Sequence, residues 1–228
     1  MTTITVLKDL RAELGAARNQ GPRPTCLAFA VSDAHAALRP GWSPLSCEFA
    51  FYHAQRRAGR PPGSGAVLPA MLATLCGDGQ PEERGWPYLA AAPTDSAAWV
   101  PPADVGPRFG RAGVSHTATA DAVIAQLDGG RPVILLMMLS GSFYAPGPDG
   151  VIRPAAGEAP DPAIRHAVLA VAHGAIPGQR LILVRNSWGS GWGVAGHGWL
   201  SESFLVPRLF AAALLTENVD VSAHPAAA

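Results

Sequence analysis

Asn186-Ser187-Trp188-Gly189-Ser190-Gly191-Trp192-Gly193 places two tryptophans among three glycines, directly after the apolar run Leu181–Val184 and Arg185. Glycines loosen a core, so packing alone is a poor reason for two large indoles here. An asparagine at the end of an apolar strand has a chemical use. Its side-chain oxygen can accept a hydrogen bond from an imidazole and so fix the tautomer. An indole two residues on, Trp188, can shield that bond from water. Such a use requires a histidine elsewhere in the chain. Arg165-His166-Ala167-Val168-Leu169-Ala170-Val171 supplies one, opening a strongly apolar strand. Taken singly, His166 is either a hydrogen-bonded core residue or a residue facing a cleft, and the core reading is the commoner.

Further upstream, Gly21-Pro22-Arg23-Pro24 makes a rigid turn, and Thr25 stands where a helix N-cap belongs. Cys26–Leu38 then reads as a helix, with Leu27, Ala30, Val31, Ala34 and Leu38 on one face and Ala28 and Phe29 on the other. A helix apolar nearly all round at its start should run through the middle of the molecule. A thiol in its first turn feels the positive end of the helix dipole, which favours the nucleophilic thiolate. The commoner fate of a lone cysteine is a buried apolar one. Gln20, across the Pro-rich turn, can aim its amide N–H at the atom a Cys26 thiolate attacks; with the Cys26 backbone N–H it would form a two-donor oxyanion site. Alone, Gln20 is an ordinary polar loop residue.

The bulk numbers bound the class. The chain has 228 residues, 48% hydrophobic and 15% charged, enough for one large domain or two lobes around a cleft. Lys+Arg and Asp+Glu both number 17, without a like-charge block. This argues against nucleic acid or an anionic membrane as partner, since both require clustered positive charge. Cys26, Cys47 and Cys76 make an odd count and a poor disulfide framework. The N-terminus lacks an apolar core of signal-peptide length, and Val133–Leu139 is far too short to span a bilayer. The expectation is a soluble cytoplasmic protein in a reducing compartment.

Helical signals dominate the first half: Ser46–Arg57 with Ser46 as cap, and about Gly65–Cys76. Residues 89–113 read as a long irregular connection, and Asp121–Leu127 as a short helix. Strand signals then follow at Pro132–Leu139, Ala167–Ala172, Leu181–Arg185 and Gly198–Leu200, with a turn at 147–150. Helices first and strands second suggest an α+β protein of two lobes. The lead-in 1–19 begins with the alternation of an edge strand. Glu82-Glu83 is expected to be a solvated turn, and Cys47 and Cys76 are expected to be buried structural residues. His35, His53, His116, His173 and His197 lack zinc-type spacing, and the Gly-rich 189–198 lacks the lysine and hydroxyl of a phosphate loop. No metal and no cofactor is expected.

Together these motifs resemble the papain-like cysteine peptidases, in order and in spacing, over about residues 14–206. Asn19-Gln20-Gly21 and Cys26-Leu27-Ala28-Phe29-Ala30 are similar to the family's oxyanion glutamine and nucleophile segment. His166–Val171 is similar to its histidine strand, and 186–193 to its asparagine motif. Leu45-Ser46 resembles the start of its second helix, and Gly79 with Trp86-Pro87-Tyr88 the segment that closes its helical lobe. The resemblance implies a helical lobe (about 20–112) and a β-rich, barrel-like lobe (113–215 plus the lead-in) meeting at an active-site cleft, with a flexible tail at 219–228. It implies Cys26 as nucleophile, His166 as general base and acid, Asn186 as its orienting partner and Gln20 as oxyanion donor, acting on a peptide or protein through a thioester. Gly65, Ala66, Leu68, Met137 or Met138, Ile164, Arg165 and Trp188 would line the substrate site.

Four departures stand out. Arg23 replaces a second cysteine that usually forms a disulfide, Leu27 replaces an aromatic residue, Ala66 the second of two glycines, and Arg165 an acid common before the histidine. An apolar side chain two residues before the cleaved bond is expected to be accepted, with basic residues disfavoured near Arg165. The catalytic segment lies close to the start of the chain, so no inhibitory pro-segment is expected; restraint would come from narrow specificity, a gated cleft or a regulatory partner. Peptide ligation, glutamine deamidation on the same thioester chemistry, or a non-catalytic peptide-binding role are the alternatives.

Overall fold

A computed structural model describes residues 3–147 and 149–221. The tail expected at 219–228 therefore lies, from 222 onward, outside the described residues. The chain divides into two compact units: the N-terminal residues to Asn19 with Ser115–Leu214, and Gln20–Val114 with the chain after Leu214.

The Gln20–Val114 unit is built on three helices. The first, α1 (Cys26–Ala37), is buried from Leu27 to Ala36, including Ser32, Asp33 and His35. This is the central helix that its all-round apolar start implies. Thr25 precedes it, but its hydroxyl makes no cap bond; it lies 2.8 Å from the Tyr88 hydroxyl instead. The next helix, α2 (Cys47–Ala58), is capped as expected: Ser46 Oγ accepts from Phe49 N–H at 3.1 Å and donates to Trp86 O at 2.6 Å. The third, α3, begins at Leu68 rather than near Gly65, because Pro69 sets the helical φ at its first turn, and it runs to Gly77. A short antiparallel pair joins β2 (Gln80–Pro81) to β3 (Arg108–His116), so the stretch expected to be irregular to 113 ends in a strand. Gln80 closes the polar interior. Its amide donates to Ser32 Oγ and to Ser46 O, and its oxygen lies 3.2 Å from His35 Nδ1. Glu83 is not a solvated turn residue; it accepts the Tyr88 and Cys47 N–H groups at 2.8 and 3.3 Å. Cys47 is buried, but Cys76 is exposed, on the outer face of α3.

The other unit is a sheet covered by α4 (Ala120–Asp128), which begins at Thr119 as side-chain cap. Its strands are β1 (Thr5–Asp9), β4 (Val133–Leu139), β5 (Val151–Ile152), β6 (Asp161–Ile176), β7 (Gln179–Arg185), β8 (His197–Ser201) and β9 (Leu209–Val219), with the short helix α5 (Glu202–Leu205) before the last. The order is β9-β4-β6-β7-β8-β5, with β1 also on β6. The strands β6 and β9 are longer than the sequence signals: β6 starts five residues before His166, and β9 carries no marked strand signal. Val123, Leu127, Val133, Leu135, Val168, Val184, Phe204 and their neighbours form the core. The central strand β6 is exposed from Asp161 to Arg165 and buried from His166 to Gly174. His166 therefore sits where the strand passes from solvent into the core.

The glycines of 186–193 divide by their surroundings. Gly193 has φ +56°, and a Cβ there would meet His197 O at 2.2 Å, the carbonyl that accepts the Val194 N–H at 2.8 Å. At Gly191 a Cβ meets nothing within 4 Å. Gly193→Ala should cost at least about 2 kcal/mol, a fall of roughly 5 °C or more in melting temperature for a chain of this size. Gly191→Ala should be near neutral. Thermal melting followed by circular dichroism checks both.

Candidate active site

One of the expected residues lies where the backbone is held from both sides. Asn186 follows the last residue of β7, and its N–H donates to Gly196 O at 3.0 Å. Its neighbour Arg185 is buried and donates to Gly15 O and Ala16 O, both at 2.7 Å, tying the lead-in to the end of the strand. Gly189 N–H donates to Arg18 O, and Asn19 bridges Trp188. The asparagine loop thus has a strand end on one side and the lead-in on the other.

Within this frame, His166 Nε2 lies 2.7 Å from Asn186 Oδ1. The same oxygen accepts the Ser187 N–H at 2.8 Å. A backbone N–H can only donate, so the atom it meets is the amide oxygen, and the imidazole nitrogen facing that oxygen must carry the proton. Nδ1 is left as the basic nitrogen. The Trp188 ring lies 4.9 Å from the imidazole, and Phe143 lies 5.8 Å away on an edge-to-face contact. Tyr144 stacks on Trp188 at 5.4 Å. Burial pushes His166 down to about 4, and the bond to Asn186 opposes this only in part.

The other unit holds Cys26 and Gln20. Cys26 is the first residue of α1 and is half-buried, so its sulfur combines a helix N-terminus with access. Gln20 is buried, and its side-chain N–H donates to Arg23 O at 2.7 Å. Tyr88 was legible only as part of Trp86-Pro87-Tyr88; its hydroxyl donates to Gln20 O at 2.7 Å. Glu48, in the first turn of α2, carried no signal at all, yet its buried carboxylate is paired with Arg23.

The residues expected to line a substrate site divide. Gly65 is exposed, Ala66 half-buried and Leu68 buried at the start of α3. Ile164 and Arg165 are exposed on the outer part of β6, and the Arg165 guanidinium lies over the Phe210 ring at 5.4 Å. Met137 cannot line a substrate site: it points into the core, wholly buried, because alternation along β4 turns it inward. Its neighbours Leu136 and Met138 are half-exposed on the other face. Among the described residues, no cluster of His, Cys, Asp or Glu could hold a metal. None of their helices is long and apolar enough to cross a membrane.

Comparison with known proteins bears on the fold. The fold is that of the papain-like cysteine peptidases, and residues 106–204 match the papain family cysteine protease model. A curated cysteine protease of Blomia tropicalis is 28% identical over 124 residues, which is 53% of this chain and 35% of that protein; the chain thus spans about a third of the length of this relative. Xylellain, a cysteine protease from Xylella fastidiosa, superposes with a TM-score of 0.74 at 20% identity, covering 95% of this chain and 87% of that one. Bromelain from Ananas comosus gives 0.68 at 19% identity, covering 93% and 98%.

His35 and His53 are, like His166, pushed down to about 4 by burial. All three are neutral in the folded chain between about 4 and their ordinary value of 6.5, where the unfolded chain binds protons. Stability should therefore fall as pH drops through that window, by up to ~1.4 kcal/mol per pH unit for each histidine. Melting temperatures measured from pH 7 to 4 check this, and His166→Gln should show a shallower slope.

Proposed function

We propose that the chain is a cysteine peptidase that cleaves peptide bonds through a thioester on Cys26. The observation that carries the reading is the His166–Asn186 pair, which leaves Nδ1 as the free basic nitrogen under the cover of Trp188. Asn186 orients the ring; the ring takes the thiol proton, passes it to the leaving amine and then activates water for hydrolysis. Gln20 and the Cys26 N–H stabilise the oxyanion.

Burial of His166 favours the neutral ring, so an imidazolium persists only where a thiolate supplies the compensating charge. The substrate is a peptide or protein, with Ala66, Leu68 and Met138 as apolar wall candidates and Arg165 as a nearby positive charge. A reducing, cytoplasmic setting is part of the proposal, resting on the odd cysteine count of the sequence. No nucleic-acid or membrane partner is proposed; a regulatory protein partner is compatible with the reading.

Iodoacetamide or an epoxide inhibitor should label Cys26 far faster than exposed Cys76 or buried Cys47. The Cys26/Cys76 ratio separates thiolate character from simple access, and equal rates would sink the assignment. In a peptide-library assay, Cys26→Ala should abolish cleavage, and His166→Ala should reduce it by at least 10³-fold. Mass spectrometry of the products distinguishes hydrolysis from transfer to an amine and from glutamine deamidation.

A second expected outcome concerns charge. Wild type should cut apolar-acidic peptides a few-fold faster than apolar-basic ones, because an exposed Arg165 is worth only ~0.2–1 kcal/mol. The preference should shrink in salt and in Arg165→Ala. Faster cleavage of the basic peptides would place Arg165 outside the substrate's reach.

A further inference from the structure

The turn before Cys26 is held by a charged pair remote in sequence. Arg23 donates to Glu48 through Nη1 at 2.6 Å and Nη2 at 3.0 Å, with both side chains almost wholly excluded from solvent. The carboxylate also accepts from Trp99 Nε1 at 2.7 Å and Leu89 N–H at 3.1 Å, while Arg23 Nη1 donates to Leu89 O at 2.7 Å. The guanidinium thus bridges the turn to α2 and to the 89–99 segment. Its own backbone carbonyl is the acceptor for two donors: the Gln20 side chain at 2.7 Å and the Thr25 N–H at 2.8 Å. Thr25 immediately precedes Cys26. Pro22 fixes φ on one side, and Pro24 restricts Arg23 to extended backbone on the other. With its backbone and its side chain both constrained, Arg23 holds one carbonyl in one direction.

We propose that the Arg23–Glu48 pair is a positioning clamp for the Gln20 amide, acting through the Arg23 carbonyl, so that Arg23 is a positioning residue for the oxyanion site. This deepens the peptidase reading and rests on it for its catalytic consequence; the geometric part stands without it. The clamp is electrostatic, so reductant does not loosen it. It also predicts a separation between two reactions of the same thiol. Alkylation of Cys26 by iodoacetamide forms no oxyanion and needs no Gln20. Peptide cleavage does.

The test compares wild type, Arg23→Lys, and the double variant Arg23→Met with Glu48→Leu, which removes both charges and so avoids leaving one buried alone. Gln20 side-chain amide signals, assigned through Gln20→Ala, are followed by hydrogen exchange in glutamine-labelled protein. In the folded double variant, exchange at Gln20 should accelerate by at least tenfold, with core backbone amides unchanged. kcat on a peptide should fall ~10²-fold, the scale of losing one oxyanion donor, with KM changed less than about threefold. The iodoacetamide rate should hold. Adding Gln20→Ala to the double variant should cost little more, since both changes disable the same donor. Arg23→Lys, with one donor in place of a fork, should give intermediate exchange, and it decides the matter should the double variant not fold. Unchanged Gln20 exchange in a folded variant overturns the clamp. Should wild type cleave no peptide, the peptidase reading fails, while the exchange result still decides the clamp.

Discussion

A buried guanidinium has five donors and no way to lose its charge, so each one taken out of water dictates what must surround it. Among the described residues four are buried: Arg23, Arg111, Arg185 and Arg208. Each is answered by at least one oxygen from a segment distant in sequence. Arg23 meets Glu48 and Leu89 O. Arg111 meets Leu38 O and Thr216 O. Arg185 meets Gly15 O and Ala16 O. Arg208 meets Ser140 Oγ and Phe204 O. These arginines tie irregular segments to regular ones. Their partners are mostly backbone carbonyls, so the ties specify where the chain runs and not merely which side chains pack.

The same economy of polar groups shapes the chemistry. Asn186 Oδ1 receives two donors, and this fixes both its own orientation and the tautomer of His166. The ring sits at the point where β6 leaves solvent, and that position has two effects. Burial weakens the imidazolium, and the surrounding Trp188 and Phe143 keep water from the bond to Asn186. An imidazole placed deeper would be inaccessible, and one placed further out would lose its orientation to water.

Motif order and helix amphipathicity were legible because they are local. The burial of α1 follows from its apolar circumference, the Ser46 cap from its hydroxyl, and the asparagine loop from glycines and tryptophans that have no cheaper explanation. Strand limits were less legible. The strand β6 begins with Asp161-Pro162, and β9 mixes alanines with Thr216 and Glu217, so both gain their regularity from neighbours rather than from propensity. Met137 was misplaced for a similar reason. Adjacent methionines look alike in sequence, and only the register of β4 against β6 turns one inward and leaves the other half-exposed.

The sequence by itself determined which residue types occur and in what order: a thiol at a helix start, a histidine entering an apolar strand, and an asparagine followed by an indole. These are statements about residue type and spacing, which covalent connectivity carries. Only the tertiary structure decided which nitrogen of His166 holds the proton, that Thr25 turns to Tyr88 instead of capping α1, and that Glu48 answers Arg23. Each of these depends on which donor meets which acceptor across tens of residues. A hydrogen bond is specified by geometry within a few tenths of an ångström, and no local pattern of residues encodes that.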